Sequence, residues 1–127
     1  FNSGHRNWPK DKWNDLCSQL TDNGYKIYSV GKTGFASVPN NTIDKRDIEL
    51  KELFKYMSEA KLIIGPSSGP LHLGTLCELP QVIISPESNR IRYEKDWNIF
   101  STKTSFIADE NWNPSVDSVI EGVNSII

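Results

Sequence analysis

Cysteine is scarce. The 127-residue chain has two, Cys17 and Cys77, far apart and each beside leucines in an apolar helical pattern. Two such residues make neither the disulfide framework of a small secreted domain nor a metal-ligand spacing; they read as two buried free thiols. Long apolar runs are missing as well. None approaches the roughly 20 residues that a membrane helix needs, and no signal peptide is visible, so the cytoplasm is the expected location. Charge of one sign is concentrated nowhere. Fourteen basic and 16 acidic residues give a net charge of −2 and are mixed along the chain, which excludes a basic nucleic-acid footprint and an acidic tail. Internal repeats and low-complexity tracts are absent. The chain opens on Phe1-Asn2-Ser3-Gly4 rather than methionine, which reads as a fragment or an excised domain.

What is present suits one ordinary domain: 37% hydrophobic residues, with four tryptophans, in a chain of single-domain length. Trp13, Leu16, Cys17 and Leu20 fall at helical spacing and predict a helix over 10–23, with Pro9 at its start and Asn23-Gly24 as its stop. Residues 25–30 read as a strand ended by Gly31, and 31–46 as a long polar loop, a length that often carries function. Leu50, Leu53, Phe54 and Met57 predict a second helix over 47–59. Residues 61–64 read as a short strand buried on both faces, 70–78 as a helix with Pro70 in its first turn, and 81–85 as another buried strand. Residues 86–104 form a charged, aromatic loop, 105–108 a strand, and Asn113-Pro114 starts a last helix carrying Val116, Val119, Ile120 and Val123 on one face. Strands alternating with helices imply βαβ units. The expected fold is therefore α/β: a Rossmann-like three-layer domain with a mostly parallel sheet. The first helix needs a strand before it, and so few residues precede it that this strand is short or missing, which would leave a sheet edge open to homodimerisation.

The segment that bears chemistry is 61–78. In an open α/β sheet ligands bind at the carboxyl ends of the strands, and there Ile64 gives way to Gly65-Pro66-Ser67-Ser68-Gly69-Pro70 and then a helix. The first amides of a helix lack internal partners and its dipole is positive at that end, so an anion is favoured. Gly69 has no Cβ to hold a phosphate off the backbone, Ser67 and Ser68 add hydroxyl donors, and Pro70 gives up an amide that would be unpaired anyway. The plain alternative is Ser68 or Gly69 capping an ordinary helix. His72, just inside the helix, could donate to a phosphate or be an ordinary packed histidine.

Ser67-Ser68-Gly69-Pro70-Leu71-His72-Leu73-Gly74, followed by Leu79-Pro80-Gln81-Val82, resembles the donor-site signature of the heptosyltransferase-like glycosyltransferases, glycosyltransferase family 9, of GT-B architecture. The opening is similar too, with Arg6-Asn7-Trp8-Pro9, then Trp13, Leu16, Leu20, Gly24 and a strand into Gly31. So is the helix leading into Ala60-Lys61-Leu62-Ile63-Ile64-Gly65. The resemblance covers roughly residues 4–86. It implies that the chain is one half of a GT-B fold, the donor-binding domain over residues 1–127, lacking the N-terminal Rossmann-like domain that holds acceptor and catalytic base. The partner ligand it implies is a nucleoside diphosphate sugar, bound as substrate, with no cofactor and no metal. Ser67, Ser68, Gly69, Pro70, Leu71 and His72 would lie against the diphosphate. The loop from Gly31 and Lys32 to Gly34 would lie near the nucleoside, and Arg6 would be a cation near the phosphates. Transfer would proceed with inversion, the departing diphosphate being stabilised by helix dipole, amides and Arg or His. The complete enzyme would act in the cytoplasm, peripheral to the inner face of a membrane, and this chain alone would not complete a transfer. One departure matters: the family usually has an aspartate just before the Ser/Thr-Gly pair, and here that residue is Ser67. A heptose donor is thereby put in question.

Other constellations are weaker. Gly31-Lys32-Thr33 looks like the end of a phosphate-binding loop, but position 26 is lysine where that motif needs glycine and no helix starts at Lys32. The loop is either a nucleoside contact or a simple strand-end turn. Asn89-Arg90-Ile91-Arg92-Tyr93 follows the 81–85 strand, hence lies on the same sheet edge. Arg90, Arg92 and Tyr93 could grip phosphate or stack on a base there, or belong to a solvated loop. Trp8, Trp97 and Trp112 read as packing anchors rather than sugar platforms. Asp44, Asp47, Asp109 and Glu110 form no evident acid–base pair, and Glu78 reads as polar surface. Two competing functions stay open: a non-catalytic nucleotide- or anion-binding module, and a flavodoxin-like or receiver-like domain, which lacks its expected loop and acidic residues here.

Overall fold

The computed structural model describes residues 8–31, 38–66, 69–96, 98 and 102–126. In chain order it contains α1 (Lys10–Asp22), β1 (Tyr28–Ser29), β2 (Ile43–Asp44), α2 (Leu50–Glu59), β3 (Ile63–Pro66), α3 (Gly69–Leu76), β4 (Gln81–Ser85), a 3₁₀ turn (Glu87–Asn89), a π-helical turn (Arg92–Asp96), β5 (Thr104–Ala108) and α4 (Val116–Ile126). Among the described residues every strand pair is parallel: β1 with β2, and β3-β4-β5 in sequence order with β4 central. This is the Rossmann-like layering expected. Residues 1–7, where the short or missing first strand was expected, lie outside the described residues.

The layers follow from the period of β4. Val82 and Ile84 point to one face and join Trp8, Leu16, Leu20, Val119, Val123 and Ile126, so α1 and α4 cover that side. Ile83 points to the other and meets Leu71 and Phe106, with Ile63 beside them, under α3. All five residues of β4 are buried, as a central parallel strand covered on both faces must be. β3 is not buried on both faces as its sequence suggested. Only Gly65 is buried and the other three residues are half-buried, because the strand has β4 on one side and no further partner in this sheet among the described residues. It also runs two residues further than expected, Gly65 and Pro66 pairing with Ile83 and Ile84. A proline, lacking an N–H, is tolerated at such an edge.

Helix ends explain most other boundary differences. α1 stops in a Schellman turn: Gly24, at φ +89°, donates to Thr21 and Tyr25 donates to Leu20. α2 starts three residues later than its apolar period suggests, because Asp47 sits at φ +60° in a turn. There Asp47 donates to the carbonyl of Gly31 at 2.9 Å and the Arg46 amide donates to Asp44 Oδ1. That turn completes β2, a strand unseen in the polar 31–46 segment. α4 begins at Val116 rather than Asn113-Pro114. Asp109 Oδ1 accepts the amides of Asn111 and Asn113, which folds 109–113 into a turn, and Ser115 Oγ then caps the helix by accepting the Ser118 amide. The expected loop at 86–104 contains the two short helical turns.

Two ties lock α1 to α4. Trp8 is 2% exposed; its indole donates to the Pro114 carbonyl at 2.9 Å, and its ring stands edge-on to Trp13 at 4.9 Å. Lys12 Nζ donates to Asn113 Oδ1 at 2.6 Å and to the Pro114 carbonyl at 3.1 Å. Trp8 is thus a packing anchor, and half-buried Trp112 packs against the same cluster; Trp97 lies outside the described residues. Gly122 lets α4 sit against the sheet, since a Cβ there would come within 2.8 Å of Ser105 Oγ and 3.3 Å of Val82 Cγ1. Cys17 is buried, and burial pushes its thiol up to about 11. Cys77 is only half-buried, which corrects the expectation of two buried thiols. Among the described residues no helix is long and apolar enough to cross a membrane.

Candidate functional site

β3 delivers the chain to the carboxyl edge of the sheet at Pro66, and α3 starts at Gly69. The helix N-terminus therefore stands at the carboxyl end of a strand that pairs with the central one. Pro70 is the second helical residue and brings no N–H. The amides of Gly69 and Leu71 fall in the first turn, where no helical carbonyl is available to accept them, and the dipole is positive there.

Leu71 divides its roles. Its side chain is 1% exposed and packs with Ile83 and Phe106, so what it can present at the edge is its backbone N–H. His72 follows within α3. The helix closes with a second Schellman turn, Glu78 donating to Thr75 and Leu79 to Gly74, with Glu78 at φ +56°. Glu78 is thus a strained cap as well as polar surface.

The next strand brings a second element to the same edge. After Ser85 the 3₁₀ turn Glu87–Asn89 is fastened back by Asn89 Nδ2, which donates to Ser85 Oγ at 2.9 Å. Arg90 follows. Its guanidinium lies 4.9 Å from the centroid of the Phe106 ring, which places it on the α3 side of the sheet. Nε donates to Glu87 at 2.6 Å and NH1 to Glu94 at 3.4 Å. Glu87, then Glu94, hold the arginine above its ordinary pKa. An incoming phosphate would have to compete with both carboxylates for this cation. The ion pairs are partly solvent-exposed, which keeps each of them weak and that competition open.

The structure thus brings α3's first turn and Arg90 to the ends of adjacent strands. Gly31 belongs to a different place, the end of β1 in the two-stranded sheet. It adopts φ +116°, a conformation that favours glycine, and its carbonyl is taken by Asp47. Arg6, Lys32, Ser67 and Ser68 lie outside the described residues. Among the described residues no group of three or more His, Cys, Asp or Glu could hold a metal ion.

No protein-family profile matches the sequence, and no curated protein matches it. Among solved structures the chain is similar to a glycosyl transferase family 9 protein from Veillonella parvula, with a TM-score of 0.79 and 18% identity over 98% of this chain. The fold is that of a glycosyl transferase family 9 protein. This is the likeness the Ser-Gly-Pro-Leu-His turn implied, and it now extends beyond residue 86 to nearly the whole chain. The chain spans 42% of the length of that family 9 structure.

Two residues that order this region were missed in the sequence, Asp109 beyond the carboxyl end of β5 and Gln81 at the opposite, amino end of β4. Asp109 orders the turn after β5, and its spacing to Asn111 and Asn113 is an Asx-turn signal. Gln81, 2% exposed, donates from Nε2 to the Leu71 carbonyl and to Thr75 Oγ1. Its only signal was a polar residue at the head of an otherwise apolar strand.

Proposed function

We propose that this chain is the donor-binding domain of a GT-B glycosyltransferase, which transfers a sugar from a nucleoside diphosphate sugar to a glycan or glycolipid acceptor. The observation that carries the reading is the passage from β3 into α3. A Ser-Ser-Gly-Pro-Leu-His sequence spans the carboxyl end of a parallel strand and the first turn of a helix, within a domain that shares the fold of a family 9 protein.

In this reading the diphosphate lies against the first turn of α3. The amides of Gly69 and Leu71, the serine hydroxyls of 67 and 68, and His72 would neutralise the charge that accumulates on the leaving group. Arg90 would exchange a carboxylate for a phosphate oxygen, and Arg6 and the loop at Gly31 and Lys32 would complete the nucleotide contacts. The acceptor and the catalytic base belong to a second Rossmann-like domain, and the complete enzyme works in the cytoplasm at the inner membrane face. Ser67, where the family usually carries aspartate, favours a second reading: a module that holds nucleoside diphosphate without selecting the sugar.

Calorimetry with UDP, GDP and ADP and their sugar conjugates tests both. The donor-domain reading expects one nucleotide to bind, its sugar conjugate to bind more tightly, and Gly69→Val and His72→Ala to abolish the heat while the fold is kept. Equal affinity for nucleotide and conjugate supports the simple module. Absence of binding by any of them to folded protein rejects both readings.

A further inference from the structure

Gln81 is a buried amide that opens the central strand, where the next three residues are Val82, Ile83 and Ile84. Nε2 donates to the Leu71 carbonyl and, at 2.8 Å, to Thr75 Oγ1. Thr75 Oγ1 in turn donates to the same carbonyl at 3.2 Å. α3 comes this close because of Gly74: a Cβ there would lie 3.0 Å from Ile63 Cγ2 and 3.1 Å from Gln81 Nε2. The amide therefore sits in a notch of the helix and grips a carbonyl of its first turns.

Leu71 is held from two sides, by its carbonyl on Gln81 and by its side chain against Ile83 and Phe106. The same residue carries a first-turn N–H with no helical acceptor. Apolar contact leaves a helix free to slide and roll by small amounts, whereas a hydrogen bond fixes direction, and binding sites need sub-ångström placement of their donors. α4, on the opposite face, meets β4 through apolar side chains such as Val119 and Val123. The Gln81 anchor holds the helix whose N-terminus faces the candidate ligand.

We infer that Gln81 is a positioning residue, which sets the height and roll of α3 so that the Leu71 and Gly69 amides converge on the donor diphosphate. The inference rests on the donor-domain reading above. It is tested in the whole chain with Gln81→Met, which keeps length and removes the donors, and Val123→Ala as a control that weakens the other face. Two readouts are needed: amide hydrogen exchange, and calorimetric affinity for UDP, GDP and ADP at a temperature where all variants are folded. Gln81→Met is expected to speed exchange of the α3 amides at least tenfold, with those of α4 unchanged, and to weaken nucleotide binding at least fivefold. Val123→Ala is expected to lower the melting temperature with affinity unchanged. Unaltered affinity or unaltered α3 exchange in Gln81→Met, when the wild type binds, overturns the positioning role alone. An equal affinity loss in Val123→Ala overturns it too. A folded wild type that binds none of the three removes the donor site, and the positioning role with it.

Discussion

On one side of β4, Val82 and Ile84 enter a cluster with Trp8, Leu16, Leu20, Val119, Val123 and Ile126. On the other, Ile83 meets Leu71 and Phe106 with Ile63 alongside, and the remaining grip on α3 is the polar set of Gln81, Thr75 and the Leu71 carbonyl. One strand thus separates a broad apolar face, tied by Trp8 and Lys12 to the start of α4, from a narrow face held by directed hydrogen bonds. Most of the burial energy belongs to the first face, since it scales with apolar area. The second face carries the helix whose first turn is the candidate site. The larger apolar core and the candidate site thus lie on opposite sides of one sheet.

The sharpest way to break this contrast is to make the same deletion on both sides. Ile83 and Ile84 are neighbours, each fully buried. Ile84→Ala should cost about 4 kcal/mol and Ile83→Ala about 2–3 kcal/mol, within the usual range for such truncations, read from urea unfolding. Equal costs, or the reverse order, would remove the asymmetry.

A smaller effect comes from Cys17 on the α1 side. Its thiol is raised from 9.0 to about 11 by burial. The unfolded chain releases this proton first, so the contribution is complete below about pH 9 and is lost as pH rises towards 11. The loss is about 2–3 kcal/mol at 1.36 kcal/mol per pH unit. The wild type should therefore show that extra alkaline decline relative to Cys17→Ala in chemical unfolding series across pH 8–11. Parallel declines would contradict it.

The smallest expected change belongs to the α3 side. Glu78 ends α3 at φ +56°, a conformation that costs a side chain about 1–2 kcal/mol and glycine nothing. After the larger entropy of an unfolded glycine is subtracted, Glu78→Gly should stabilise by about 0.5–1 kcal/mol, a rise of a few degrees in melting temperature. A fall would mean that the Glu78 side chain does more for this end of the helix than its backbone costs.

The broad face was the legible one. α1 and α4 announce themselves by apolar residues at helical spacing, and β4 by the unbroken run Val82-Ile83-Ile84. The α3 side is legible in its helix start but not in its anchor, because no local pattern says that Gln81 will meet a carbonyl ten residues back. β2 escaped because Ile43–Asp44 has no apolar run; its hydrogen bonds to Ile27 and Ser29 come from tertiary pairing. The ends of α2 and α4 were misjudged for a related reason, since turns closed by Asp44, Asp47 and Asp109 override the helical period. At the candidate site, the sequence put the start of the third helix and Arg90 on one edge, where the structure has them. It could not foresee that Arg90 is already committed to Glu87 and Glu94, nor that the Leu71 side chain turns away into the core.

The central claim is that a nucleoside diphosphate binds at the first turn of α3, on the narrow face. Hydrogen exchange of the whole chain with and without UDP, GDP or ADP tests it most directly. The account predicts that one of them slows exchange in the segment from Gly69 to Leu76 and in the turn from Glu87 to Arg90, with α1 and α4 unchanged. Slowing confined to α1 and α4, or none anywhere at saturating nucleotide, would contradict it.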